Sequence, residues 1–185
     1  MTTEGVETAQ PATGTGPRVL VVVASRHGST AEIADGLARA LVESPGGLSA
    51  AVLPAQQRPD PAPYGAVLLG SAVYAGKWLE PAREYAGLFA GVLRARSVWL
   101  FSSGPIGAPP FPPDEPYDAA PVAVLTGAIG HRVFPGRLDT NRLSFGERAM
   151  VTAMRAPLGD FRDWDEISGW AGEIAAVLTR DRVPR

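Results

Sequence analysis

The stretch "RVLVVVASRHGSTAEIADGLARAL", residues 18–41, changes its hydrophobic period once, and that change restricts the fold more than any other feature of the chain. Val19 to Val23 are continuously apolar, which suits a strand of a parallel sheet covered on both faces. From Ile33 onward the apolar side chains return every three or four positions. Ile33, Leu37 and Leu41 form one stripe with Ala34 and Ala38 beside it, while Glu32, Asp35 and Arg39 can face water, as in an amphipathic helix. Ser29 and Glu32 have capping-box spacing, which places the helix start at Ser29 or Thr30. Six small or polar residues, Ser25 to Thr30, therefore join a buried strand to the N-terminus of a helix.

The same alternation continues along the chain. Leu48 to Leu53 is a weaker strand after Gly46 and Gly47, and Ala66 to Gly70 is a third strand after the turn-rich "RPDPAPYG". Leu79 to Leu93 reads as a helix with Ala82, Tyr85, Phe89 and Val92 inward, Pro81 being tolerated in its first turn. Val98 to Phe101 is the next strand and ends in the Pro- and Gly-rich loop "SSGPIGAPPFPPDEP". Val122 to Ile129 fits a short helix or a buried strand and is read as a helix. His131 to Phe134 is the last strand, and a helix is expected over Glu147 to Met154. A final helix carries the apolar stripe Ile167, Trp170, Ala171, Ile174 and Leu178, with Asp163 and Glu166 at capping spacing. Strands and helices in this order predict an α/β fold, a doubly wound parallel five-stranded sheet with helices on both faces. Ligands of such sheets bind beyond the carboxyl ends of the strands.

Composition narrows the chemistry. The chain has no cysteine, which excludes disulfides, thiolate nucleophiles and cysteine-based metal sites and is consistent with a cytoplasmic protein. The formal charge is only -2, with no basic block, which gives no reason to expect a nucleic-acid partner. Residues 1–17 lack both a basic start and an apolar run and read as a disordered tail ahead of one domain spanning 18–178, with 179–185 a short C-terminal tail. No window has the apolar length of a transmembrane helix.

Three loops fall at the carboxyl ends of strands. In Ser25, Arg26, His27, Gly28, Ser29 and Thr30, small residues and a glycine let backbone N–H groups turn toward an anion, with the positive end of the helix behind them. The pattern suits a phosphate and equally suits an ordinary capped turn. The glycine spacing of a dinucleotide fold is absent. The resemblance of Gly70–Lys77 to a nucleoside-triphosphate loop also fails, because five residues separate Gly70 from Gly76 and Trp78 replaces the magnesium-binding hydroxyl. The second loop, "GSAVYAGKW", brings Tyr74 and Trp78 near a glycine. Two rings there can sandwich a planar ligand or simply pack, and packing suits Trp78 better if it joins the next helix. Lys77 can neutralise an anionic ring or face solvent. The third loop starts at Phe101 and can bring backbone donors and acceptors to a ligand's polar edge, or be a plain turn.

The combination of "ASRHGSTAEIA", "GSAVYAGKW" and the loop after "VWLF" resembles the flavodoxin-like proteins, which bind flavin mononucleotide (FMN). The glycine-lysine-tryptophan loop and the tail "GDFRDWDEISGWAGEIA" look like the branch containing menaquinone-dependent protoporphyrinogen oxidase. The resemblance implies a phosphate loop at Ser25, Arg26, His27, Gly28, Ser29 and Thr30. It implies a flavin-facing loop at Ser71, Ala72, Val73, Tyr74, Ala75 and Gly76, with Tyr74 the preferred ring contact, and a third loop at Ser102, Ser103, Gly104 and Pro105. His27 stands where flavodoxins often have a hydroxyl, and the serines of the third loop replace a more acidic, glycine-rich pattern.

The implied activity is that of an FMN-dependent oxidoreductase, with a quinone or a redox protein as partner and peripheral contact at the inner face of a membrane. A flavodoxin-type electron carrier and a non-catalytic flavin-binding regulatory protein are the alternatives. No residue is marked as a catalytic acid or base. His131 begins a strand, where a structural hydrogen bond is expected, and Asp160, Arg162 and Asp163 are explained by a turn, ion pairs and a helix cap. In residues 144–156, Phe145, Ala149, Met150, Ala153 and Met154 form an apolar stripe flanked by Arg148 and Arg155. That stripe suits either a docking surface or packing against the sheet, and packing is slightly favoured.

Overall fold

The computed structural model describes residues 16–104 and 119–180. Strand β1 (Arg18–Ala24) is an inner strand of a parallel sheet, with β2 (Ser49–Pro54) at the edge on one side and β3 (Ala66–Tyr74), β5 (Ser97–Ser103) and β6 (Gly130–Phe134) in succession on the other. The short β4 (Lys77–Trp78) folds back antiparallel on the end of β3. The five parallel strands are those expected from the hydrophobic pattern.

Period 2 along β1 explains its unbroken apolar run. Val19, Val21 and Val23 enter one core with Ile33, Ala34, Leu37, Ala38 and Leu41 of α1 (Ser29–Glu43) and Ile167, Trp170, Ala171, Ile174 and Leu178 of α6 (Trp164–Arg180). Leu20, Val22 and Ala24 enter a second core on the opposite face, with Ala82, Tyr85 and Ala86 of α2 (Glu80–Leu88), Leu93 of α3 (Ala90–Leu93) and Val122 of α4 (Ala119–Thr126). Both apolar stripes read from the sequence for α1 and α6 are therefore buried. Each fully buried Leu or Ile contributes roughly 1.5–3 kcal/mol of transfer free energy, so the two faces together anchor the sheet.

Three departures from the sequence pattern have local causes. The expected capping box at Ser29 does not form: the cap position is Gly28, with φ 85°, and no side chain caps the helix. Ser29 Oγ instead accepts the Arg137 N–H at 3.1 Å, and Glu32 is drawn outward by arginines. The single helix expected over Leu79–Leu93 is broken at Phe89, which leaves helical geometry (φ -106°, ψ 13°) between the poor helix formers Gly87 and Gly91. As a result Ala86 and Leu93 are buried in place of Phe89 and Val92. Residues 122–129 agree with the helix reading, being helical through Thr126.

The third departure concerns the segment between β6 and α6. It forms an excursion in which β7 (Arg137–Leu138) pairs antiparallel with β8 (Gly159–Asp160) and encloses α5 (Phe145–Ala153). A complete capping box starts α5: Ser144 Oγ accepts the Glu147 N–H, and Glu147 Oε2 accepts the Ser144 N–H at 2.8 Å. None of the residues of α5 is buried, and Phe145 is 88% exposed, so the favoured reading of its stripe as sheet packing is corrected.

Candidate functional site

The chain leaves β1 toward β2 on one side and returns to β3 on the other, so the carboxyl ends of β1 and β3 diverge at a topological switch point. A cleft of about 180 Å³ lies there. Its walls come from Ser25, Arg26, His27, Ser29 and Thr30 of the first loop, Ala72, Val73 and Tyr74 of the second, and Ser103 and Gly104 of the third. Three segments distant in sequence thus meet around one space.

Not every expected residue faces it. Ser71 is fully buried, donating through Oγ to the Ala72 carbonyl and accepting the Leu79 N–H, which ties β3 to the start of α2. Ser102 is equally buried and accepts the Trp78 Nε1–H at 2.8 Å while pairing with His131 Nε2 at 2.8 Å. Trp78 is accordingly a core residue rather than a wall of the cleft, and His131 makes the structural hydrogen bond expected of it. Ala75 and Gly76 (φ 49° and 70°) form the tight turn between β3 and β4 and lie off the cleft, and Lys77 is exposed beside them. Gly28 supplies the left-handed turn of the first loop, its N–H donating to Ser25 Oγ at 3.2 Å. Pro105 lies outside the described residues.

The first loop ends where α1 begins. The first bond of that helix runs from the Glu32 N–H to the Gly28 carbonyl, so the N–H groups of Ser29, Thr30 and Ala31 precede the intrahelical ladder and point out of the helix end. Tyr74, 36% exposed, stands at the opposite wall, with the Arg26 guanidinium 5.3 Å from its ring centre and the His27 ring edge-on at 6.2 Å. Burial raises the Tyr74 pKa, outweighing the opposing pull of Arg26, and the phenol stays neutral at physiological pH. Gly104 packs so closely on the second loop that a Cβ would fall 2.8 Å from Val73 Cβ, which fixes the spacing between those two walls.

Sequence reading missed a fourth wall. The excursion supplies Gly136, Arg137, Leu138, Asp139, Arg142, Leu143, Val151, Met154 and Ala156 to the cleft. Glu32 is its anchor: Arg137 holds that carboxylate through both terminal nitrogens at 2.8 and 3.0 Å, Arg162 at 2.7 Å and Arg142 at 3.3 Å. Burial raises the Glu32 pKa, but the hydrogen bonds from Arg162 and Arg137 outweigh it and hold the carboxyl below its ordinary value. A second tie joins α5 to the loop, where Glu147 Oε1 accepts from His27 Nε2 at 3.1 Å and from Arg26 at 3.0 Å. Arg162 and Asp160 form the expected ion pair, and Asp163 Oδ1 accepts the N–H groups of Asp165 and Glu166. Among the described residues no cluster of His, Asp and Glu could hold a metal ion, and no helix is long and apolar enough to cross a membrane.

A five-stranded parallel sheet with helices on both faces and a loop-lined cleft at its switch point is the architecture of the doubly wound α/β proteins. Within that class the model of the flavodoxin domain matches residues 20–165, and the chain belongs to the flavodoxin-domain family. Solved structures share the fold at low identity. A flavodoxin from the domain Archaea is 14% identical with a TM-score of 0.58, over 87% of this chain and 98% of that one. Oxidised flavodoxin 1 from Bacillus cereus is 13% identical with a TM-score of 0.56, over 86% and 97%. The Flv1 flavodiiron core from Synechocystis sp. PCC6803 is 11% identical with a TM-score of 0.64, but the match covers 90% of this chain and only 37% of that one. No curated protein sequence matches the chain significantly.

Proposed function

We propose that the chain is an FMN-dependent oxidoreductase that takes electrons from a reduced organic donor and delivers them to a quinone or a redox protein. The observation that carries this reading is the meeting of the first, second and third loops at the sheet's switch point, in a chain of the flavodoxin-domain family. The residues fit such a cofactor. The outward N–H groups of Ser29, Thr30 and Ala31, with the positive end of α1, suit a phosphate. Val73, Tyr74 and Gly104 offer a largely apolar wall for a ring system.

A bound flavin supplies reversible hydride and single-electron chemistry. The protein's own part is narrower. Ser25 to Thr30 would hold the phosphorylated end, and Tyr74 would offer its neutral ring to the flavin. The backbone at Ser103 and Gly104 meets the polar edge. Among the excursion residues, Val151 and Met154 line the cleft while Phe145 and Met150 are exposed. That apolar route into the site supports a hydrophobic acceptor such as a quinone, and a donor like protoporphyrinogen, with α5 resting at the inner face of a membrane. A flavodoxin-type carrier is the second reading, favoured by the near-complete coverage of two flavodoxins. Anaerobic stopped-flow reduction of the flavin-loaded protein distinguishes them. Direct turnover from reduced tetrapyrrole to quinone is the expected result; exchange with redox proteins alone supports the carrier, and stable flavin that no donor reduces points to a non-catalytic role.

A further inference from the structure

We infer that Arg142, reaching in from the excursion, is a phosphate-binding residue that makes the site select a phosphorylated flavin over the unphosphorylated ring; the inference rests on the FMN reading above. Arg142 lines the cleft and lays its guanidinium on the turn of the first loop, where Nη1 donates to the His27 carbonyl at 3.0 Å. A Cβ at position 28 would lie 2.8 Å from that nitrogen and push the guanidinium aside, and the φ of 85° itself favours glycine there. Among the described residues only Nη1 is engaged, which leaves Nε and Nη2 to donate to an anion held by the N–H groups of Ser29 and Thr30. A guanidinium offers paired donors matched to phosphate oxygens.

The charge arrangement favours the same conclusion. Arg137, Arg142 and Arg162 converge on Glu32, so three guanidinium groups share that one carboxylate; among the described residues Asp160 pairs with Arg162, and Asp139 also lines the cleft. Arg142 has the longest contact with Glu32 of the three, and its side chain is the most exposed at 45%, against 19% for Arg137 and 3% for Arg162. It is the guanidinium best placed to turn toward an entering dianion while the other two keep Glu32 fixed. Arg137 contributes indirectly: its backbone N–H donates to Ser29 Oγ, which directs that hydroxyl's own hydrogen away from the excursion.

The test compares two ligands that differ only in the phosphate. Full-length protein stripped of flavin is titrated with FMN and with riboflavin, following flavin fluorescence, for the native chain and for Arg142→Gln and Arg142→Lys. The expected result is a loss of FMN affinity of about tenfold or more in Arg142→Gln, no change in riboflavin affinity, and partial recovery in Arg142→Lys. Equal losses for both ligands would make Arg142 a structural strut and overturn the inference, as would an unchanged ratio of the two affinities. If the native chain binds neither ligand, the FMN reading itself fails and this inference with it. Tight FMN binding by the native chain with an unaltered ratio in the variants removes the Arg142 inference alone. The melting temperature of each variant without flavin identifies one that fails to fold, and protection of the native chain by inorganic phosphate against riboflavin-independent thermal unfolding, weakened in Arg142→Lys, provides the folded-state measurement in that event.

Discussion

At the scale of single residues, close backbone approach explains positions that composition leaves anonymous. Gly70 lies in the middle of β3, where a Cβ would fall 2.0 Å from the Phe101 ring. Phe101 is fully buried and packs on Phe134 at 6.5 Å between centroids, so it has little room to retreat. Gly70→Ala is expected to destabilise the fold by about 1–3 kcal/mol through overpacking. A shift of the denaturant midpoint at constant slope would register it, whereas an unchanged midpoint would show that the ring moves aside freely. Residues whose roles depend on their own neighbours in sequence were legible beforehand: the stripes of α1 and α6, the cap by Asp163, and Tyr74 beside a tight turn. Ser71 and Ser102 were not, because alternation along a strand decides which way each side chain points, and a hydroxyl suits a core hydrogen bond as well as a ligand. Arg137 and Arg142 were illegible for a different reason. Their partners Glu32 and His27 lie 105 and 115 residues away, and in an arginine-rich chain neither stands out.

At the scale of elements, α5 is the unusual one. Its position is fixed by its capping box and by Glu147, not by apolar burial, so electrostatics should govern how firmly it stays on the first loop. Hydrogen bonds from the Ser144 N–H and hydroxyl, followed by the contact with His27, lower the Glu147 pKa from 4.5 to about 2. A carboxyl whose folded pKa is depressed stabilises the fold above its unfolded value and loses that contribution as pH falls through the folded one. The tie between α5 and the loop is therefore expected to persist down to about pH 4.5 and to loosen between there and pH 2. An NMR titration of the Glu147 carboxyl should give a midpoint near 2, mostly through the capping box; a midpoint at 4 or above would contradict the capping box, and a midpoint unchanged on His27→Ala would show that the tie to the first loop does not bear on it. The existence of a helix here was legible from its period, but its surroundings were not. A short apolar stripe has the same spacing whether it faces a sheet, a cleft or solvent, and only the β7–β8 pairing carries it away from the core.

At the scale of the whole molecule, the alternation of strand and helix was enough to define the sheet, its two covered faces and the edge where the loops gather, because both periodicities are set by backbone geometry. The fourth wall of the cleft required the folded chain, since it is built by a segment with no strong pattern crossing back over the first loop. The family and the fold now agree, and the cleft combines the turn at the start of α1, an aromatic wall and Arg26, Arg137 and Arg142 in one place. All the proposed chemistry depends on that cleft holding a phosphorylated flavin. The most direct measurement is the visible absorbance of the natively purified protein, followed by identification of whatever cofactor heat releases from it. A yellow protein that releases FMN, or takes up added FMN in a one-to-one ratio, is the expected outcome; a colourless protein that binds no added FMN would contradict the account.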